Sequence, residues 1–237
     1  MTTRTDSITA PDGQSFDGYT VLPAGGRGPG VLVVQEIFGV NEYIRDVCRR
    51  LAELGYVAMA PDMYWRQERN VDVGHDPAEM PKAFGYMSAF DWDEGTADLV
   101  AALGHLRSLP ETGGQAGAIG FCFGGGLVFR LACAAKPDAV VSYYGSAVPG
   151  FLSLGTDVTS PICFHFGGND DFIPREAIDA VREWAAARSN AEFHEFAAGH
   201  AFDNNFSQVF SDPTAAAAAW PFTTRFLATH LGISPGA

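Results

Sequence analysis

The chain has 237 residues, 47% hydrophobic and 18% charged, enough to bury a large core without disulfides or a metal. Acidic residues outnumber basic ones by 28 to 15, a formal charge of −13, which argues against nucleic acid or an anionic membrane as partner because phosphate binding needs clustered cations. Met1–Gly13 is polar without an apolar stretch, and no run of roughly 18 apolar residues occurs, so neither a secretory signal nor a membrane span is expected.

In chain order, strands are predicted at 17–22, 31–35, 56–60, 116–121, 139–144, 161–166 and 191–196. Val31–Val34 is apolar at every position, as in a central parallel strand covered on both faces. Helices are predicted over 41–54, 77–89, 93–108, 123–136, 174–188 and 214–231. In the first, Ile44, Val47, Cys48, Leu51 and Leu54 recur at three- and four-residue steps. Asn41 suits its start and Gly55 its stop. The segment from Tyr64 to Glu79 carries no strong period and reads as a long surface excursion. Alternating strands and helices imply a mostly parallel sheet between helical layers, joined by right-handed crossovers. No linker divides the chain, so the expected organisation is a polar segment 1–13, one α/β domain at 14–231 and a tail at 232–237.

The most informative stretch runs from Gly117 to Gly126. A strand enters a helix through Gly120-Phe-Cys-Phe-Gly124, the G-x-S-x-G nucleophile elbow with Cys in place of Ser. Such a turn lifts the central side chain above the sheet, and the helix N-terminus favours a thiolate there. Phe123 N–H is a candidate oxyanion donor. The alternative is an ordinary glycine-rich strand-to-helix turn; a dinucleotide loop does not fit, since G-x-G-x-x-G fails at Cys122.

The elbow needs an acid and a base, in that order along the chain. Asp170 and Asp171 compete for the acid, in a loop after the strand at 161–166. The base candidate is His200, behind Gly199 after the last strand. His165 and His194 fall within strands, His105 and His230 on helices, and His75 in the excursion before the nucleophile; all five are weaker candidates. A further carboxylate, Glu36, ends a buried strand, where an unpaired charge is costly.

Gln35-Glu-Ile-Phe-Gly-Val-Asn41, Ala60-Pro-Asp62, the G-x-C-x-G-G elbow, Asp170-Asp-Phe-Ile-Pro174 and Ala198-Gly-His-Ala-Phe202 together resemble the dienelactone hydrolase family. The resemblance runs from about residue 14 to 231. It implies an α/β-hydrolase-type three-layer sandwich and an enzyme that opens enol lactones such as dienelactone. It maps the nucleophile onto Cys122, the acid onto Asp170, the base onto His200, the family's catalytic strand-end glutamate, which activates the thiol, onto Glu36 and the oxyanion hole onto Ile37 and Phe123. It further implies that Cys122 rests as a thiol near Glu36 until substrate arrives.

One departure matters. Well-matched members of the family are similar in holding the substrate carboxylate with two arginines, where this chain has Met80 and Asn204. Arg gives bidentate carboxylate recognition that neither residue replaces. With Phe38, Phe84, Met87 and Tyr144, these positions suggest an apolar substrate pocket suited to neutral or larger esters. Lys82 and Arg66 are the candidate substitute cations. The runner-up reading is a general carboxylesterase, and a noncatalytic thiol-sensing or binding protein is the alternative of another class. Cys48, Cys122, Cys133 and Cys163 form no CxxC pair, which fits a reduced cytoplasmic location. No metal or organic cofactor is called for, and the expected state is a monomer or small homo-oligomer.

Overall fold

The computed structural model describes residues 1–76 and 78–233. Most of the expected tail at 232–237, and the first residue of the helix expected at 77–89, lie outside the described residues.

Eight strands form one sheet: β1 (Thr2–Thr9), β2 (Ser15–Leu22), β3 (Gly30–Val34), β4 (Val57–Pro61), β5 (Ala116–Phe121), β6 (Val140–Tyr143), β7 (Ile162–Gly167) and β8 (Ala191–Phe196). Their order is β1-β2-β4-β3-β5-β6-β7-β8. The six strands from β4 to β8 in that order run parallel, and β1 and β2 are antiparallel additions at one edge. Among the described residues seven α-helices accompany the sheet: α1 (Glu42–Glu53), α2 (Met80–Ser88), α3 (Trp92–Ser108), α4 (Phe123–Ala134), α5 (Val148–Phe151), α6 (Arg175–Ala186) and α7 (Pro213–Leu231).

Side-chain alternation divides the interior in two. All five residues of β3 are buried, but Leu32 and Val34 enter one core while Val31 and Val33 enter the other. Successive strand side chains point to opposite faces, so a fully apolar strand serves both. Leu99 and Leu103 of α3, Leu127 and Leu131 of α4 and Val181 of α6 cover the first face. Val47 and Leu51 of α1 and Phe226 and Leu227 of α7 cover the second. Polar side chains stop the helices fraying at their starts. Asn41 accepts from Ile44 N–H at 3.3 Å, and Asp91 accepts from Asp93 and Glu94 N–H at 2.9 Å.

One expectation needs correction. The polar segment 1–13 is not outside the domain, because Thr2–Thr9 pairs along β2 and fully buries Ile8. Among the described residues, the loop from Tyr64 to Glu79 exposes residues 67–70 but is anchored by Tyr64, Trp65, Val71 and Val73, which are buried. Trp65 stacks on Phe16 with ring centroids 5.3 Å apart and donates to Asp98 at 2.9 Å. Anchors spaced irregularly leave no period, although they hold the loop inward.

Candidate active site

The elbow forms where β5 passes into α4. Cys122 has φ +52° and ψ −111°, a conformation costly for any residue with a Cβ. The close approach of the two limbs explains the flanking glycines. A Cβ on Gly120 would lie 2.1 Å from the Gly124 carbonyl oxygen, and one on Gly124 would lie 2.3 Å from that of Val34. Ala201 and Tyr144, also at positive φ, flank the same site. Strain of this kind persists where the surroundings over-determine the backbone.

Three strand ends converge here. His200, after β8, places Nε2 3.0 Å from Cys122 Sγ, and its Nδ1 lies 2.7 Å from Asp170 Oδ2. Asp170, after β7, has a fully buried side chain and accepts from the Phe172 and Ile173 N–H groups at 2.8 and 3.1 Å. Asp171 is exposed, so Asp170 is the residue that reaches the imidazole. Burial works to lower the His200 pKa, but the facing Cys122 sulfur and the Asp170 carboxylate outweigh it and push the value up to about 10. That direction keeps the imidazole protonated between the sulfur and the carboxylate.

Phe123 opens α4 and Ile37 follows β3. Among the described residues neither N–H donates to another protein group. Both residues border the space around the sulfur, Ile37 in the same cavity as Cys122 and His200. A cavity of about 250 Å³ opens there. Phe38, Met80, Phe84, Met87, Phe172 and Phe210 line it. No Lys or Arg borders it among the described residues. Lys82 instead lies over the Tyr86 ring at 5.7 Å, and Arg66 pairs with Asp98 at 2.8 Å and Asp12 at 2.7 Å.

Tyr144 and Asn204 do not line the cavity. Tyr144 is fully buried, its ring centroid 5.2 Å from that of His200 and its hydroxyl 3.2 Å from Tyr43 Oη. It backs the imidazole and does not face substrate. Asn204, also fully buried, donates to Glu36 Oε2 at 2.7 Å and lies 2.9 Å from His75 Nε2. The sulfur therefore rests against His200, while Glu36 is held by Asn204. Glu36 Oε1 has no hydrogen-bond partner among the described residues although Glu36 is 1% exposed.

Ser146, whose Oγ is 4.0 Å from Cys122 Sγ, is not singled out by the sequence, and His75, a weaker base candidate there, instead joins Asn204 beside Glu36. Ser146 follows β6, and a strand-end position was its one available signal. Elsewhere, donor atoms of Cys163, Glu192 and His194 lie within 4.8 Å of one another. Arg225 pairs with that glutamate at 2.7 Å, so the group is already neutralised as an ion pair.

A mostly parallel sheet with a strained strand-to-helix turn bearing a thiol after β5, a carboxylate after β7 and a histidine after β8 has the architecture of an α/β-hydrolase. The profile of the dienelactone hydrolase family matches residues 16–231. The chain is 32% identical to carboxymethylenebutenolidase 1 of Cupriavidus pinatubonensis over 222 residues, 93% of this chain and 94% of that one. It is 36% identical to a carboxymethylenebutenolidase of a Pseudomonas species over 212 residues, 89% of each chain. The structure of a dienelactone hydrolase-like promiscuous phosphotriesterase from metagenomic libraries superposes with a TM-score of 0.81 at 26% identity, covering 98% of this chain and all of that one. The chain belongs to the dienelactone hydrolase family and is a carboxylic ester hydrolase. No helix among the described residues is long and apolar enough to cross a membrane.

Proposed function

We propose that this hydrolase cleaves small, uncharged esters or lactones through Cys122, His200 and Asp170, forming a thioester with the acyl group. The observation that carries this reading is the unbroken line of contacts from Asp170 through His200 to the sulfur, at 2.7 and 3.0 Å, at the mouth of an apolar cavity.

The Cys122 thiolate attacks the acyl carbon. Negative charge moves onto the carbonyl oxygen, where the Ile37 and Phe123 N–H groups receive it. His200 Nε2–H then gives its proton to the leaving alkoxide as the carbon–oxygen bond breaks, leaving a thioester and a neutral imidazole. The imidazole next takes a proton from water, whose oxygen attacks the thioester. The acid departs and the thiolate–imidazolium pair returns. Asp170 keeps Nδ1 protonated and the ring aligned throughout.

Substrate charge is decided by what surrounds the sulfur. A carboxylate-bearing lactone would enter a space without a cation and beside the Glu36 carboxylate. A lost charge-assisted hydrogen bond costs about 1.5–3 kcal/mol, so uncharged esters are favoured over dienelactone. The test compares hydrolysis of p-nitrophenyl acetate and of dienelactone by wild type and Cys122→Ala. Turnover of the neutral ester with higher kcat/KM, lost in the variant, is expected, together with a wild-type mass increase of one acyl group on rapid quenching. Undiminished turnover in Cys122→Ala would remove the sulfur from the mechanism, and higher efficiency on dienelactone would overturn the charge argument.

A further inference from the structure

Beside the cavity that contains His200 runs a wider groove of about 450 Å³, bordered by Met87, Ser88, Phe90, Trp92, Phe123 and the turn Ser146–Ala147. Met87 and Ser146 border both spaces. The nucleophile is close to this shared wall, with Ser146 Oγ 4.0 Å from Cys122 Sγ. The groove is built from aromatic rings: Phe123 lies 4.8 Å from Phe90 and 5.1 Å from Trp92, centroid to centroid.

The direction of catalysis assigns the two spaces. The leaving oxygen must lie beside His200 Nε2 to receive its proton. His200 borders the first cavity and not the groove. The alcohol part of an ester therefore occupies the first cavity. The acyl part, held at its carbonyl oxygen by Phe123 N–H, extends the other way, past Ser146 and over the aromatic rings. We propose that the groove is the acyl-chain subsite, and that the substrate class is open-chain esters of an arylalkyl or extended alkyl acid. The assignment rests on the catalytic reading above and adds to it which side of the ester is selected.

The test keeps the leaving group constant and varies the acid, using p-nitrophenyl acetate, phenylacetate and octanoate. Ser88 is exposed, so Ser88→Trp can fill the groove without disturbing the core, and Ala147→Leu narrows it from the opposite wall. Wild type is expected to prefer the two larger acyl groups. Either variant should lower kcat/KM for them by about tenfold or more, the scale of a few lost apolar contacts, and leave acetate within about twofold. Hydrolysis of all three esters with no preference in wild type, or a ratio that neither variant moves, would overturn the subsite assignment alone. Equal losses on acetate and the larger esters in both variants would also overturn it. Failure of wild type to hydrolyse any of the three would instead remove the catalytic reading on which it rests.

Discussion

His200 holds its proton at a pH where a free imidazole has lost it. Burial favours the neutral ring, yet the facing sulfur and the Asp170 carboxylate reverse that preference and place the pKa at about 10. In an unfolded chain the imidazole titrates near 6.5. The folded protein thus binds the proton more tightly, and the resulting stabilisation is complete below about pH 6.5 and fades as pH rises through about 10. The His200 ring is expected to titrate near the upper value by NMR in wild type and lower in Cys122→Ala, which removes the facing sulfur. The melting-temperature gap between wild type and His200→Gln should narrow over the same interval. A wild-type midpoint near 6.5 would mean the thiolate–imidazolium pair does not form. The same residues were legible in the sequence because each follows a strand and their order along the chain is restricted. Tyr144 and Asn204 were not. Their neighbours, Tyr43 and Glu36, lie 101 and 168 residues away, and nothing local distinguishes a side chain that faces substrate from one that braces a catalytic group.

At the scale of elements, the elbow depends on how closely β3 and α4 approach. Gly124 lies against the Val34 and Gln35 carbonyl oxygens, 2.3 and 2.5 Å from where a Cβ would stand. Gly104, on the exposed face of α3, has nothing within 4 Å of that point. The two glycines should respond oppositely to one methyl group. Gly104→Ala is expected to raise stability by about 0.5–1 kcal/mol, since alanine loses less backbone entropy in a helix. Gly124→Ala must displace backbone and should cost about 2 kcal/mol or more through strain. Denaturant midpoints of the two variants decide the matter, and loss of stability in both would show that α3 does not accept the extra methyl group. Seven of the eight strands were readable: β3 to β7 because an apolar run marks a strand buried on both faces, and the partly buried β2 and β8 by their aromatic and β-branched residues. β1 escaped because Thr2–Thr9 is mostly solvent-facing. Its β-branched threonines and Ile8 were the strand signal present.

Across the whole molecule, the proposed catalytic groups follow strands in one half of the sheet order and the antiparallel pair closes the other. Cys122, Asp170 and His200 follow β5, β7 and β8, whereas β1 is separated from β5 by β2, β4 and β3. β1 nevertheless contributes to stability. It fully buries Ile8, and Arg4 reaches Glu111 at 2.7 Å while Thr20 donates to Asp6 at the same distance. Surface ion pairs that are only partly buried, such as Arg4–Glu111, add little, so the loss on deleting residues 1–9 is dominated by Ile8 and its neighbours, about 2–3 kcal/mol. For a chain of this length that is roughly 4–12 °C in melting temperature. The deletion also leaves β2 as an unpaired edge, which favours association at high concentration. At temperatures below the lowered transition, kcat/KM on p-nitrophenyl acetate should stay within about twofold of wild type, because the packing between β3 and β8 holds the triad without β1. An unchanged melting temperature would show that β1 contributes no net stability. A large fall in kcat/KM in the folded truncated chain would show that the two ends of the sheet are coupled, and that the strand order insulates the active site less than its separation implies.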